Sequence, residues 1–157
     1  MDIVLVSFYY HSNIYSGANK RFDETGKFLK RNGYAIKVAV PKGHVPYWCD
    51  KSEAVEFETK TTGPLRRVEL FSRLQSWLDD IPRSFVISDF MPVPARALKN
   101  HIHFQLVHDL RNFTEFHRAK FPFFSRRWQA RQWQKSGKIL TVSSFTQKQL
   151  NHFCGIP

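Results

Sequence analysis

His108 and Asp109 stand together at the end of an apolar run, residues 102–107, and a basic, aromatic-rich segment follows them. An imidazole and a carboxylate delivered together can position a sugar hydroxyl, transfer a proton, or stabilise charge that develops in a transition state. Location gives the pair its weight, because α/β proteins bind ligands at the carboxyl ends of parallel strands. The residues alone leave a second reading open, in which the histidine only ends a strand by bonding to backbone. A second candidate is the turn Ser16-Gly17-Ala18-Asn19, placed between a first strand and a first helix. Its backbone N–H groups and the helix dipole suit a phosphate. With one glycine it is no GxGxxG, so a plain structural turn stays open beside the phosphate reading. His101 and His103 alternate along one strand and share a face. With no cysteine pair and no HExxH, no metal site is expected. GxSxG is absent and no Cys-His pair is suggested, so covalent hydrolysis has no support.

The elements that must position these residues alternate between strand and helix. Residues 2–8 form an apolar run, and residues 18–31 follow a helical pattern with Ala18, Phe22, Thr25 and Leu29 on the apolar face. Gly26 falls near that buried side, where a missing side chain allows close packing. Asn32-Gly33 ends the helix as a left-handed cap, and residues 34–40 supply a second strand. Residues 54–58 read as a short strand. Residues 65–79 read as a helix with Val68, Phe71, Leu74 and Leu78 on one side, and residues 84–88 as a buried strand ending at Asp89. A short helix over 92–98, the strand 102–107, a helix over 125–135, a strand over 139–142 and a last helix over 145–153 complete the pattern. Ser143-Ser144 is the cap signal of that last helix. The alternation predicts an α/β, doubly wound, mostly parallel sheet with helices on both faces.

At 157 residues the chain is read as a single domain, and its 42% hydrophobic and 15% aromatic content argues against disorder. No apolar run is long enough to span a bilayer, and the first residues lack the basic region and cleavage site of a secretory signal. Two lone cysteines, Cys49 and Cys154, fit a reducing compartment, so a cytoplasmic setting is expected. The net charge of +11 points to anionic partners. Residues 111–135 hold seven basic residues against the single acid Glu115, including Arg111, Arg118, Lys120, Arg127 and Arg131. Aromatic residues interleave with them. On a helical wheel Phe124, Trp128, Arg131 and Lys135 share one face, while Ala130 and Trp133 point the other way, towards a core. Such an exposed face suits an anionic membrane surface or single-stranded nucleic acid. A third reading buries most of the aromatics and leaves the charges as a solvated rim.

Five segments in this order resemble the N-terminal domain of a GT-B glycosyltransferase of the family 4 type. They are residues 3–8, Ser16-Gly17-Ala18, residues 28–38 from Phe28 to Val38, Val107-His108-Asp109-Leu110-Arg111, and the run from Lys138 to Thr146 that contains Ser143-Ser144. The ending Gly155-Ile156-Pro157 resembles the family's exit towards its second domain. The resemblance implies a Rossmann-like domain forming one half of a GT-B architecture. Its activity would be transfer of a sugar from a nucleotide-sugar donor to a saccharide or glycolipid acceptor. Transfer would proceed generally with retention, and no metal or other cofactor is required. It places Ser16, Gly17 and Ala18 near the donor phosphates, His108 against the transferred sugar with Asp109 beside it, and Ser143 and Ser144 on the cleft edge. It also implies that the domain receives the acceptor and docks on the cytoplasmic membrane face through residues such as Arg118, Lys120, Arg127, Trp128 and Arg131, serving envelope polysaccharide or glycolipid assembly.

The sequence departs from the family in having one glycine in the first turn, where two are common, and Asn19 where an acid is frequent. A nucleotide-sugar domain with paired glutamates is absent from residues 1–157. The expectation is therefore an acceptor-side half that needs such a domain, or a partner subunit, and is inactive alone. The rival expectation from another class is a non-catalytic basic α/β module that binds nucleic acid or an anionic membrane.

Overall fold

A computed structural model describes residues 1–14, 16–89, 99–108, 110, 122–136 and 138–157. Its centre is a six-stranded sheet in the order β3-β2-β1-β4-β5-β6, with every neighbouring pair parallel. The strands are β1 (Ile3–Val6), β2 (Ile36–Pro41), β3 (Ala54–Phe57), β4 (Phe85–Asp89), β5 (Ile102–Val107) and β6 (Lys138–Thr141). The helices are α1 (Gly17–Arg31), α2 (Gly63–Asp79), α3 (Pro122–Lys135) and α4 (Ser144–Cys154). This is the expected α/β, Rossmann-like doubly wound fold. Strand order runs outward in both directions from the β1–β4 junction, which is the switch point where such sheets open a crevice.

Burial follows from the parallel architecture. All four residues of β1 are buried, as required of a central strand covered on both faces. On one face Val4, Val6, Ala39 and Val86 meet Leu70, Leu74 and Leu78 of α2. On the other, Ile3, Leu5, Ile36 and Val38 meet Phe22 of α1, with Leu29 packed alongside. A third cluster joins Val107 to Trp133 of α3 and to Leu150 and Cys154 of α4.

The helix ends are built as the sequence predicts. The Ser16 side chain accepts from the Asn19 N–H at 3.1 Å, and Gly33 takes φ +76° just past α1. There the Gly33 and Tyr34 amides return to the carbonyls of Lys30 and Leu29, closing a Schellman motif. The expected apolar face of α2 requires a correction. Val68 is 64% exposed, whereas Leu70, Leu74 and Leu78 are buried and Phe71, Trp77 and Ile81 pack against them. Successive leucines four residues apart define the stripe, and Val68 lies roughly 120° off its centre at about 100° per residue. In α3 the expected split holds among the described side chains: Trp133 is buried, Ala130 half-buried, and Trp128, Arg131 and Lys135 exposed. The Phe124 side chain and the predicted 92–98 helix lie outside the described residues.

Gly26 is a close-approach position. A Cβ built there would lie 2.1 Å from the Trp48 ring, and that indole is held by its Nε1–H donating to Asp23 at 2.8 Å. Alanine gains about 1 kcal/mol of helix propensity, but forcing the ring aside costs about 1–3 kcal/mol. Gly26→Ala is therefore expected to lower the urea midpoint by the equivalent of about 1 kcal/mol net. A raised midpoint would show that the indole repacks freely.

Candidate functional site

Three strand ends and two helix starts meet on the carboxyl edge of the sheet. β4 ends at Asp89, β5 ends at Val107, and His108 follows directly. The side chains of Asp89 and His108 are hydrogen-bonded through Oδ1 and Nε2, and both are nearly buried. Asp89 is in register with Leu106 and alternates with Ile87, so it belongs to the face that α1 covers. The first turn of α1, with Ser16, Gly17 and Ala18, opens on that same face and edge. Its strand, β1, lies two strand spacings from β5, about 10 Å.

The main chain of His108 is tied to the opposite face. Its carbonyl accepts from Thr146 Oγ1 at 3.2 Å. Thr146 is itself buried, and its N–H donates to the Ser143 side chain at 3.1 Å. Ser143 thus caps α4 as expected, and the first turn of α4 fixes the backbone that carries the imidazole. Ser143 and Ser144 are exposed on the edge beside it. Across the switch point, Asn19 has a definite task. Its amide donates to the carbonyls of His11 at 2.9 Å and Ile14 at 2.7 Å, clamping the loop before α1. An acid there would have no N–H to offer those carbonyls.

A buried carboxylate on one ring nitrogen orients an imidazole and selects its tautomer. With Nε2 occupied by Asp89, Nδ1 is the ring atom left for a substrate hydroxyl or a developing charge. Asp89 was legible only as a strand end. The usable signal was that an acid ending one parallel strand shares an edge with a histidine ending its neighbour. Asp109, Arg111, Arg118 and Lys120 lie outside the described residues.

Beneath this edge runs a polar layer that sequence reading did not anticipate. Ser88, His103 and Gln105 are all buried. Ser88 donates to Gln105 Oε1 at 2.9 Å and lies 2.7 Å from His103 Nε2. Because the serine proton is used on Gln105, Nε2 must be the donor, leaving Nδ1 as a bare acceptor. Nδ1 has no hydrogen-bond partner among the described residues. Burial accordingly pushes the His103 pKa down to about 4. His101 is engaged elsewhere: Nδ1 accepts from the Ser84 amide at 3.2 Å and Nε2 lies 3.0 Å from the Leu78 carbonyl. The two histidines share a face but do not converge, and no group of metal-binding side chains is found among the described residues. Cys49 and Cys154 are free and buried.

The exposed part of α3 carries Arg127, Trp128 and Arg131. Trp128 is 38% exposed and leans on Phe71 of α2, ring centroids 5.9 Å apart. Among the described residues no helix is long and apolar enough to cross a membrane. No protein-family model matches the chain, and no curated protein matches it significantly.

Proposed function

We propose that the chain is the acceptor-side half of a GT-B glycosyltransferase, moving a sugar from a nucleotide-sugar to a saccharide or glycolipid acceptor in envelope polysaccharide or glycoconjugate assembly. The observation that carries the reading is the buttressed His108. Its side chain is held by Asp89 on the face of α1, its carbonyl is held by α4, and the capped turn Ser16-Gly17-Ala18 opens on the same edge. In this reading Nδ1 of His108 faces the transferred sugar, Asp89 positions the ring, and Asp109 flanks it. The turn at Gly17 and the edge at Ser143 and Ser144 approach the donor phosphates. A nucleotide-binding half, in the same reading frame or as a partner subunit, supplies the second wall. The test is release of nucleoside diphosphate from nucleotide-sugars by the complete reading frame that carries this chain, together with any partner subunit. No release from UDP-, GDP- or ADP-linked sugars would overturn the assignment.

The same proposal puts the domain on the cytoplasmic membrane face through Arg127, Trp128 and Arg131, with Arg111, Arg118 and Lys120 in the adjoining segment. Cations on lipid phosphates and an indole at headgroup depth predict binding to vesicles of phosphatidylglycerol but not of phosphatidylcholine, falling as salt rises. Co-sedimentation measures this, and an Arg127→Gln/Arg131→Gln variant is expected to bind several-fold more weakly. Equal binding to both lipids would remove the membrane role. Tight oligonucleotide binding with a steep salt slope, without sugar transfer, would favour the nucleic-acid module instead.

A further inference from the structure

A cavity of about 640 Å³ opens at the carboxyl ends of β1, β2 and β3, on the other side of the switch point from His108. Its lining includes Phe57 and Leu70, both buried, the imidazoles of His11 and His44, and the two arginines Arg66 and Arg67. The imidazoles stack with centroids 3.9 Å apart, and His44 Nδ1 lies 3.3 Å from Ser12 Oγ. Charge around the cavity is unbalanced. Lys42 is matched by Glu58 at 2.8 Å. Glu69, one turn along from the arginines, is already committed: it accepts from the Lys60 and Thr61 amides and the Thr61 hydroxyl, and pairs with Arg73. That set of partners lowers its pKa to about 2, with the Thr61 hydroxyl the largest cause. Arg66 and Arg67 are left with no acidic partner among the described residues. Arg66 closes the first turn of α2, which holds no acid, and Arg67 follows it; a cation near a helix N-terminus opposes the dipole. Both arginines are exposed, and two cations set against the helix dipole at the rim of a cavity on the ligand-binding edge are explained by an anion that enters from outside.

We infer that this cavity binds a phosphate or diphosphate ester, held by Arg66 and Arg67 over a floor that includes Phe57 and Leu70. Two guanidinium forks side by side offer more donors and more positive charge than one carboxylate can use, and a phosphate, with three free oxygens and up to two negative charges, can engage both. That the ester belongs to the acceptor rests on the transferase reading; the selection for phosphate does not. Two sources share this chemistry, a soluble sugar phosphate and a lipid-linked phosphate.

The test is titration calorimetry of the intact chain with inorganic pyrophosphate, then with glucose 1-phosphate and farnesyl phosphate. Pyrophosphate is expected to bind, and Arg66→Gln/Arg67→Gln to weaken it at least tenfold. A charge-matched control, Arg83→Gln/Lys99→Gln at the amino ends of β4 and β5, is expected to bind as the wild type does. No binding, or equal loss in both double variants, would overturn the site. Preference for farnesyl phosphate assigns a lipid-linked ligand, and preference for glucose 1-phosphate a soluble one. If binding depends on Arg66 and Arg67 while no nucleotide-sugar is turned over, the phosphate site stands and only its assignment to an acceptor fails.

Discussion

His108→Ala is expected to lower sugar transfer by the complete enzyme at least about 100-fold, mainly in kcat, and to lower the urea midpoint as well, because the buried Asp89 loses its partner while the chain still folds. The ring carries the polar contact to the reacting sugar in this account, whereas the backbone at 108 is held separately by Thr146. Removing the ring therefore deletes chemistry without releasing the strand end. Asp89→Asn is the companion test. An amide keeps the shape and can still hydrogen-bond the ring, but it no longer selects the same tautomer. A smaller loss is expected, falling on kcat and leaving KM nearly unchanged. Normal turnover by His108→Ala would remove the histidine from the site, and an unchanged kcat in Asp89→Asn would make Asp89 only a packing residue.

Acidification is expected to destabilise the domain through His103. Its pKa is lowered from 6.5 in the open chain to about 4 in the fold. Between these values the unfolded chain binds a proton that the folded chain refuses, so stability falls as pH drops from 6.5 to 4. Above pH 6.5 neither state is charged and no penalty exists; below pH 4 the penalty is complete. At 1.36 kcal/mol per pH unit it reaches about 3 kcal/mol. The cause is structural, since protonating Nδ1 would place a buried N–H where no described acceptor stands. Urea titrations at pH 7.0, 5.5 and 4.5 measure it. His103→Gln is expected to unfold more easily at pH 7 but to lose less stability over this window than the wild type does. Parallel pH slopes in the two proteins would assign the acid sensitivity elsewhere.

How far the fold and site could be read from sequence depended on the range of the interaction involved. Strand–helix alternation, the Ser16 and Ser143 caps, the Gly33 stop and the division of Trp128 from Trp133 are local features. Each is decided within a few residues by periodicity or capping chemistry, and each appears in the structure. The Asp89–His108 contact depends on β4 and β5 being neighbours in parallel register, a relation between segments 19 residues apart. The Ser88, His103 and Gln105 layer defied the apolar expectation for a central sheet because its polar atoms largely satisfy one another. Val68 misled for a different reason. Its spacing from Phe71 is helical, but the leucines at 70, 74 and 78 decide which face is buried. The site was legible as an edge and a histidine, and its positioning carboxylate was not.

The central claim is that the edge formed by His108, Asp89, Ser143 and the Gly17 turn is one wall of a sugar-transfer cleft. Its most direct test is to incubate the complete reading frame, with any partner subunit and a membrane extract from its own cells, with nucleotide-sugars carrying a radiolabelled sugar. The account predicts that label from one donor moves into a saccharide or glycolipid acceptor. If no donor labels any acceptor while the protein is folded and bound to the membrane, the edge is not a transfer site.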